Sequence, residues 1–128
     1  SSNVSIWSAD TVITDWSGTG TEFAFVTGKP CVFVDTPPKI NNPDYDKLGI
    51  TPQELLLRDK LGLRVAETDA KHVGDAAAEL LAHREDWSAR ITELRDKLIA
   101  NFPNSAGVSA DAILQAVVAA QTARKQSA

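Results

Sequence analysis

Two short β-branched stretches, separated by one short helical segment, constrain the fold of this chain more than any other feature. The stretches are residues 11–14 and 31–34, and the segment between them, Thr19–Thr27, has the composition of a single helix. Gly28 follows at once, and glycine tolerates the left-handed conformation in which helices often end. The pattern predicts two parallel strands, buried on both faces of a sheet and joined by a right-handed helical crossover.

The rest of the chain continues this α/β pattern. Prolines and asparagines keep residues 35–50 irregular, and a loop of that length in a compact domain often binds a ligand. Thr51, Pro52 and Glu54 have the spacing of a capping box, so a helix is predicted to begin there and to end at Gly62. A third short strand is expected at residues 63–66, and further helices at residues 71–82, at 85–101 and from Ser109 onward. The predicted fold is α/β, a Rossmann-like parallel sheet of few strands flanked by helices.

Charge and composition exclude several classes of function. Thirteen Lys and Arg against seventeen Asp and Glu leave a net charge of −4. Because no stretch is strongly basic, nucleic acid is excluded as a partner. No apolar run approaches the roughly 20 residues that span a bilayer. One cysteine and two histidines argue against a disulfide framework or a Cys/His metal site. We therefore expect a cytoplasmic domain that uses no metal or other cofactor.

The chain contains no methionine. It also reaches its first predicted strand within about ten residues, with no signal-peptide pattern before it. We therefore expect residues 1–128 to be a single α/β domain and a fragment of a larger, two-lobed protein.

The turn between the first predicted strand and the following helix is the strongest candidate for a ligand site. In open parallel sheets, ligands bind at the carboxyl ends of the strands, and the amides at a helix start attract phosphate. Ser17, Thr19 and Thr21 add hydroxyl donors, and Gly18 and Gly20 remove side chains that would hold a phosphate away. Glu22 has a carboxylate suited to a ribose diol. The same residue types also occur in turns where they only cap the helix, so residue chemistry leaves both interpretations open.

Further candidates stand beside this turn. Asp35 ends the second strand at the same crevice, where it either caps the structure or contacts a ligand, and Trp16 follows the first strand and would line the crevice. Arg58 and Arg64 are predicted to belong to a solvated face. Cys31, flanked by apolar strand residues, is predicted to pack in the core and not to act as a nucleophile.

Three motifs follow one another within residues 9–35: Ala-Asp-Thr-Val-Ile-Thr-Asp-Trp-Ser-Gly-Thr, then Glu-Phe-Ala, then Thr-Gly-Lys-Pro-Cys-Val-Phe-Val-Asp. Together they resemble the CDP-glycerol glycerophosphotransferase family, which extends glycerol- or polyol-phosphate polymers of the teichoic-acid and capsule type. The resemblance is close over residues 9–35 and looser as far as about residue 101. It implies the C-terminal, donor-binding lobe of a two-lobed GT-B glycosyltransferase architecture.

This resemblance assigns roles to four residues. Ser17, Gly18 and Thr19 would bind the phosphates of a nucleotide-activated donor such as CDP-glycerol, and Glu22 would bind its ribose. Other GT-B nucleotide-sugar enzymes have a similar arrangement, so the resemblance supports a nucleotide-diphosphate donor more than CDP-glycerol in particular. The chain departs from the family pattern with Trp16 for tyrosine, Gly18 for a second serine and Glu22 for aspartate.

The resemblance also implies what lies outside the chain. The family's acceptor lobe and acid–base histidines lie upstream of these motifs, and neither His72 nor His83 has a matching context. We therefore expect the donor-binding portion of a transferase, inactive alone, whose parent enzyme works at the inner face of the cell membrane. A second hypothesis stays open, a non-enzymatic α/β interaction domain. It would dock a partner through the long loop or through an apolar stripe on the last helix formed by Ile113, Leu114, Val117 and Val118.

Overall fold

The computed structural model describes residues 2–38, 40 and 42–126. Its helices are α1 (Ser2–Ser8), α2 (Thr19–Thr27), α3 (Gln53–Leu61), α4 (Val73–Ala82), α5 (Arg84–Leu98) and α6 (Ser105–Gln126), and its strands are β1 (Val12–Thr14), β2 (Cys31–Asp35) and β3 (Gly62–Ala66). The strands form one parallel sheet in the order β1-β2-β3. The predicted α/β class, with a small parallel sheet flanked by helices, is confirmed.

The β1–α2–β2 unit has the predicted form. Val12 of β1 pairs with Cys31 of β2 in parallel register. Helix α2 ends at Gly28, whose φ of 70° is left-handed and whose N–H donates to the Ala24 carbonyl at 2.8 Å. Short parallel strands joined by a nine-residue helix place the end of β1 next to the end of β2.

Strand β1 differs from the prediction that it is buried on both faces. It lies at one edge of the described sheet, and the Ile13 side chain is 54% exposed. Strand β2, between two neighbours, has the predicted burial, because both of its edges and both of its faces are covered. A β-branched run indicates a strand but does not say whether that strand lies at an edge.

Two predictions about the chain between β2 and β3 are wrong. Residues 35–50 are not wholly irregular, because Tyr45–Leu48 form one 3-10 turn, preceded by Asn42 Oδ1 accepting the Asp44 N–H at 3.0 Å. The capping box does not form either. Helix α3 begins at Gln53, two residues after Thr51, and no side-chain cap is found at its start among the described residues.

The core packs around β2. Its largest fully buried side chains include Phe33 from β2, Leu61 from α3, Leu80 from α4 and Ile91 from α5. The predicted apolar face of α5 is therefore confirmed at Trp87 and Ile91. Clustering of contacts divides the chain into two compact units, Ser1–Leu94, which contains the sheet, and Arg95–Ala128, which contains α6. The prediction of one domain over residues 1–128 stays a prediction.

Helix α6 begins four residues earlier than predicted, at Ser105. The predicted apolar stripe on this helix is solvent-exposed, with exposed fractions of 66% at Ile113, 62% at Leu114, 48% at Val117 and 52% at Val118. Within the described residues, no helix combines the length and apolar character needed to cross a membrane.

Cys31 is a core residue, as predicted. Its side chain is fully buried, and its thiol donates to the Gly20 carbonyl at 3.2 Å. Burial raises the pKa of the thiol from its ordinary value of 9.0 to about 12. The unfolded chain therefore loses this proton at a lower pH than the folded protein does, so the free energy of unfolding falls as the pH rises from about 9 toward 12.

Cys31→Ala is expected to remove this alkaline loss of stability while lowering stability at pH 7 through the cavity it leaves. Urea unfolding of both proteins at pH 7 and pH 10.5 measures how much stability each loses between the two pH values. Other groups are the same in both proteins, so their contributions cancel in the comparison. If the variant and the wild type lose equal stability between the two pH values, the buried thiol is not responsible.

Candidate functional site

A cavity of about 450 Å³ lies at the carboxyl ends of β1 and β2. The residues that follow β1, the start of α2, the loop after β2 and the start of α3 all contribute to it. Its lining consists of Asp15, Trp16, Ser17, Gly18, Thr21, Phe33, Pro38, Ile40, Asn42, Tyr45, Pro52, Glu54, Leu55 and Arg58. The turn before α2, the long loop and α3 each contribute both polar and apolar side chains.

The turn before α2 is closed by its own hydroxyl groups. Ser17 Oγ accepts the Thr19 N–H at 3.2 Å and donates to Thr19 Oγ1 at 2.9 Å. The first helical bond runs from the Glu22 N–H to the Gly18 carbonyl at 3.0 Å. The amides of Gly20 and Thr21 precede that bond and so have no partner within the helix. Ser17 therefore orders the turn but does not cap the helix, because the N-cap residue is Gly18 and no side-chain cap bond is found there among the described residues.

The structure divides the four predicted site residues between two surfaces. Ser17 and Gly18 line the large cavity. Thr19 and Glu22 instead line a separate groove of about 230 Å³ formed with side chains of α1, including Trp7. Thr21, the third predicted hydroxyl donor, also lines the large cavity.

Gly20 has a packing role at this turn. A Cβ at this position would stand 2.7 Å from Phe33 Cε1 and 2.8 Å from Thr14 Cγ2. The missing side chain thus lets the start of α2 lie directly against β1 and β2. Gly18 is different, because no described heavy atom lies within 4 Å of a Cβ built there.

Arg58 is the residue that the prediction misplaced. It is 4% exposed and lines the cavity, whereas a solvated face was expected. Its Nη1 donates to the Asp15 carbonyl at 3.3 Å, and its Nη2 donates to the Val34 carbonyl at 3.2 Å. Its Cζ lies 4.0 Å from the centroid of the Trp16 ring and 5.0 Å from that of Phe33. One guanidinium therefore joins the ends of β1 and β2 to α3.

The sequence contains a signal for this burial. Leu57 and Leu61 are four residues apart and both are buried, so they define the inner face of α3. Arg58 is three residues before Leu61 and therefore lies on the same face. A cation within an apolar helical stripe indicates a buried charge that needs a partner.

Asp35 supplies that partner and is shared between two arginines. Its Oδ1 accepts from Arg58 Nη2 at 2.8 Å, and its Oδ2 accepts from Arg64 Nη2 at 2.6 Å and from Arg64 Nε at 2.9 Å. Burial lowers the pKa of Arg58, and Asp35 opposes that effect. The hydrogen bond to Asp35 raises the pKa of Arg64. Asp35 thus has a structural role at the end of β2.

Trp16 lines the cavity, as predicted. Its Nε1–H donates to the Thr36 carbonyl, and Arg58 stacks on its ring. These two contacts hold the indole in one orientation at the cavity wall.

No group of three or more His, Cys, Asp or Glu side chains in the part of the chain that the structure describes is arranged to hold a metal ion. Comparisons with protein-family models, with curated proteins and with solved structures find no match for this chain.

Proposed function

We propose that the cavity binds a nucleotide, with its phosphates at the start of α2. The observation that carries this proposal is the position of the cavity, at the carboxyl ends of two parallel strands and against the first amides of a nine-residue helix. This is where open parallel sheets bind ligands and where a helix dipole favours an anion.

The size and lining of the cavity agree with this ligand class. Its volume of about 450 Å³ lies within the range of small-molecule sites, about 300–1,000 Å³. The rings of Trp16 and Tyr45 supply aromatic surface for a base, and Ser17 and Thr21 supply hydroxyl groups near the helix start. The lining therefore offers a stacking surface for a base and hydroxyl donors for phosphates.

The wider function rests on the resemblance described above. We propose that the chain is the donor-binding portion of a GT-B-type transferase that moves glycerol phosphate, a related polyol phosphate or a sugar from a nucleotide-diphosphate donor to a cell-surface polymer. Ser17, Gly18 and Thr19 would contact the phosphates. The proposed ribose contact with Glu22 requires the nucleotide to extend past Thr19 into the groove beside α1, because Glu22 lines that groove.

An amide-resolved NMR titration with CMP, CDP-glycerol and UDP tests the proposal. Binding at the cavity shifts the amides of Ser17, Gly18 and Thr21, and a ribose in the neighbouring groove also shifts that of Glu22. The preferred nucleotide then separates a glycerol-phosphate donor from a sugar donor. A well-dispersed spectrum that does not change at millimolar nucleotide would refute nucleotide binding by this chain.

Gly18→Ala is expected to weaken CMP binding about tenfold, a change of roughly 1.4 kcal/mol. Its backbone, with φ of −60° and ψ of −18°, accommodates alanine, and no described heavy atom opposes the added methyl group. The methyl group would therefore occupy space at the phosphate end of the cavity while the fold stays intact.

The matched control for this substitution is Gly74→Ala in α4. It too meets no described heavy atom within 4 Å, but it does not line the cavity. Calorimetric titration is expected to give wild-type affinity for the control. Equal affinities for all three proteins would remove the start of α2 from the site.

A second candidate function, docking of a partner chain through α6, is favoured by the exposed stripe of Ile113, Leu114, Val117 and Val118. Size-exclusion chromatography of the wild type and of Ile113→Ser tests it. A wild type that associates and a variant that stays monomeric would support docking, whereas two monomers would count against it.

A further inference from the structure

Arg58 retains hydrogen-bonding capacity that the protein does not use. A guanidinium has five N–H donors, and the contacts to Asp15, Val34 and Asp35 use three of them. Nε is buried and has no hydrogen-bond partner within the described part of the chain. An unpaired buried donor is unfavourable, because it has lost its hydrogen bonds to water. Arg58 is thus a buried arginine with unused donors in the wall of a cavity. A hydrogen-bond acceptor on a ligand in that cavity would supply the missing partner.

The charge of Arg58 is only partly compensated. Asp35, its carboxylate partner, also makes the shorter contact to Arg64, at 2.6 Å against 2.8 Å. The carboxylates of Asp15 and Glu54 also line the cavity, and both residues are exposed. Arg58 is therefore the one cation among the lining residues that the structure describes.

Arg58 stands at the inner end of the same cavity as the α2 turn. It and Phe33 are the buried members of the lining, and the Asp15 carbonyl to which it donates is two residues before Ser17. The start of α2 and a buried guanidinium thus belong to the wall of one cavity.

We infer that Arg58 is the anion anchor of this cavity and that its unused donors bind a phosphate oxygen of the ligand. This inference rests on the proposed nucleotide site and narrows its ligands to phosphorylated ones. The free energy of binding comes largely from the phosphates, so CDP binds much more tightly than cytidine. Because Trp16 and Asp35 hold the guanidinium in place, little side-chain entropy is lost on binding.

The side-chain Nε–H resonance of Arg58 tests the inference in the wild-type chain. This resonance is assigned by through-bond correlation to the Arg58 backbone amide and is followed in ¹H–¹⁵N spectra during titration with inorganic pyrophosphate and with CDP. We expect it to shift and to saturate together with the Gly18 and Thr21 amides. If CDP shifts those amides but leaves the Arg58 resonance unchanged, the anchor is refuted and nucleotide binding stands. If CDP shifts neither, the proposed function and the anchor both fail.

Arg58→Lys and Arg64→Lys form a matched pair of variants. Both arginines contact Asp35, but only Arg58 lines the cavity. Loss of a charged hydrogen bond is expected to reduce CDP affinity at least about tenfold in Arg58→Lys, with cytidine affinity unchanged and Arg64→Lys close to wild type. An equal loss for cytidine and CDP would show that Arg58 only shapes the cavity. Should Arg58→Lys fail to fold, the wild-type titration decides the question.

Discussion

Gly62→Ala is expected to destabilise the sheet-containing unit severely. A Cβ at Gly62 would overlap the carbonyl oxygen of Cys31 and stand 2.7 and 2.8 Å from the carbonyl carbon and amide nitrogen of the same residue. Gly62 and Cys31 are register partners of β3 and β2, so the obstacle is the main chain of the central strand and no rotamer change relieves it. We expect a loss of at least about 3 kcal/mol, the upper part of the range for overpacked cores. The total free energy of unfolding of a domain of this size is only about 5–15 kcal/mol.

Far-UV circular dichroism and urea unfolding of the purified variant measure this effect. Gly74→Ala is again the control, because its added methyl group meets no described atom and alanine in a helix stabilises by about 0.5–1 kcal/mol relative to glycine. A Gly62→Ala protein with the wild-type unfolding midpoint would show that β3 does not approach β2 in this way.

Asp35→Asn is expected to lower the free energy of unfolding by about 3 kcal/mol, because it leaves the buried guanidinium of Arg58 without its carboxylate. The side chain of Arg58 is 5% exposed, so water does not replace the lost partner. The three elements that meet at Arg58, which are the ends of β1 and β2 and the inner face of α3, are expected to loosen together.

Asp59→Asn is the matched control for this charge change. Asp59 Oδ1 lies 3.5 Å from Arg64 Nη1, and the Asp59 side chain is 71% exposed. Surface ion pairs of this kind contribute about 0–1 kcal/mol to the free energy of unfolding. Urea unfolding of the two variants side by side gives the difference. Equal effects would mean that Asp35 acts as an ordinary surface charge and that Arg58 does not depend on it.

The elements around β2 could be predicted because each has a local cause. The helix Thr19–Thr27 and its exit at Gly28 match the prediction residue by residue, since a left-handed glycine ends a helix whatever packs against it. The start of α3 could not be predicted in this way. Thr51, Pro52 and Glu54 satisfy a capping pattern, yet the helix begins later, because Pro52, with ψ of 136°, is still extended.

The sequence predicted where the candidate site lies but not which residues line it. Ser17 and Gly18 stand at the cavity as expected, whereas Thr19 and Glu22 line the neighbouring groove. Successive residues of a helix start point in different directions, about 100° apart, so a contiguous motif need not face one surface. Arg58 joins the cavity from a position more than 40 residues away in the chain.

The sequence by itself determined the parallel β1–α2–β2 unit, the burial of Cys31 and the position of a polar turn at a helix start. These features depend on residues near one another, through backbone preference and short-range hydrophobic pattern. Only the tertiary structure decided that β1 is an edge strand and that Gly62 is needed for space against Cys31. It also decided that Arg58 lies buried between Trp16 and Asp35. Such features depend on which distant segments meet, and a buried charge is stable only where its partners are assembled around it.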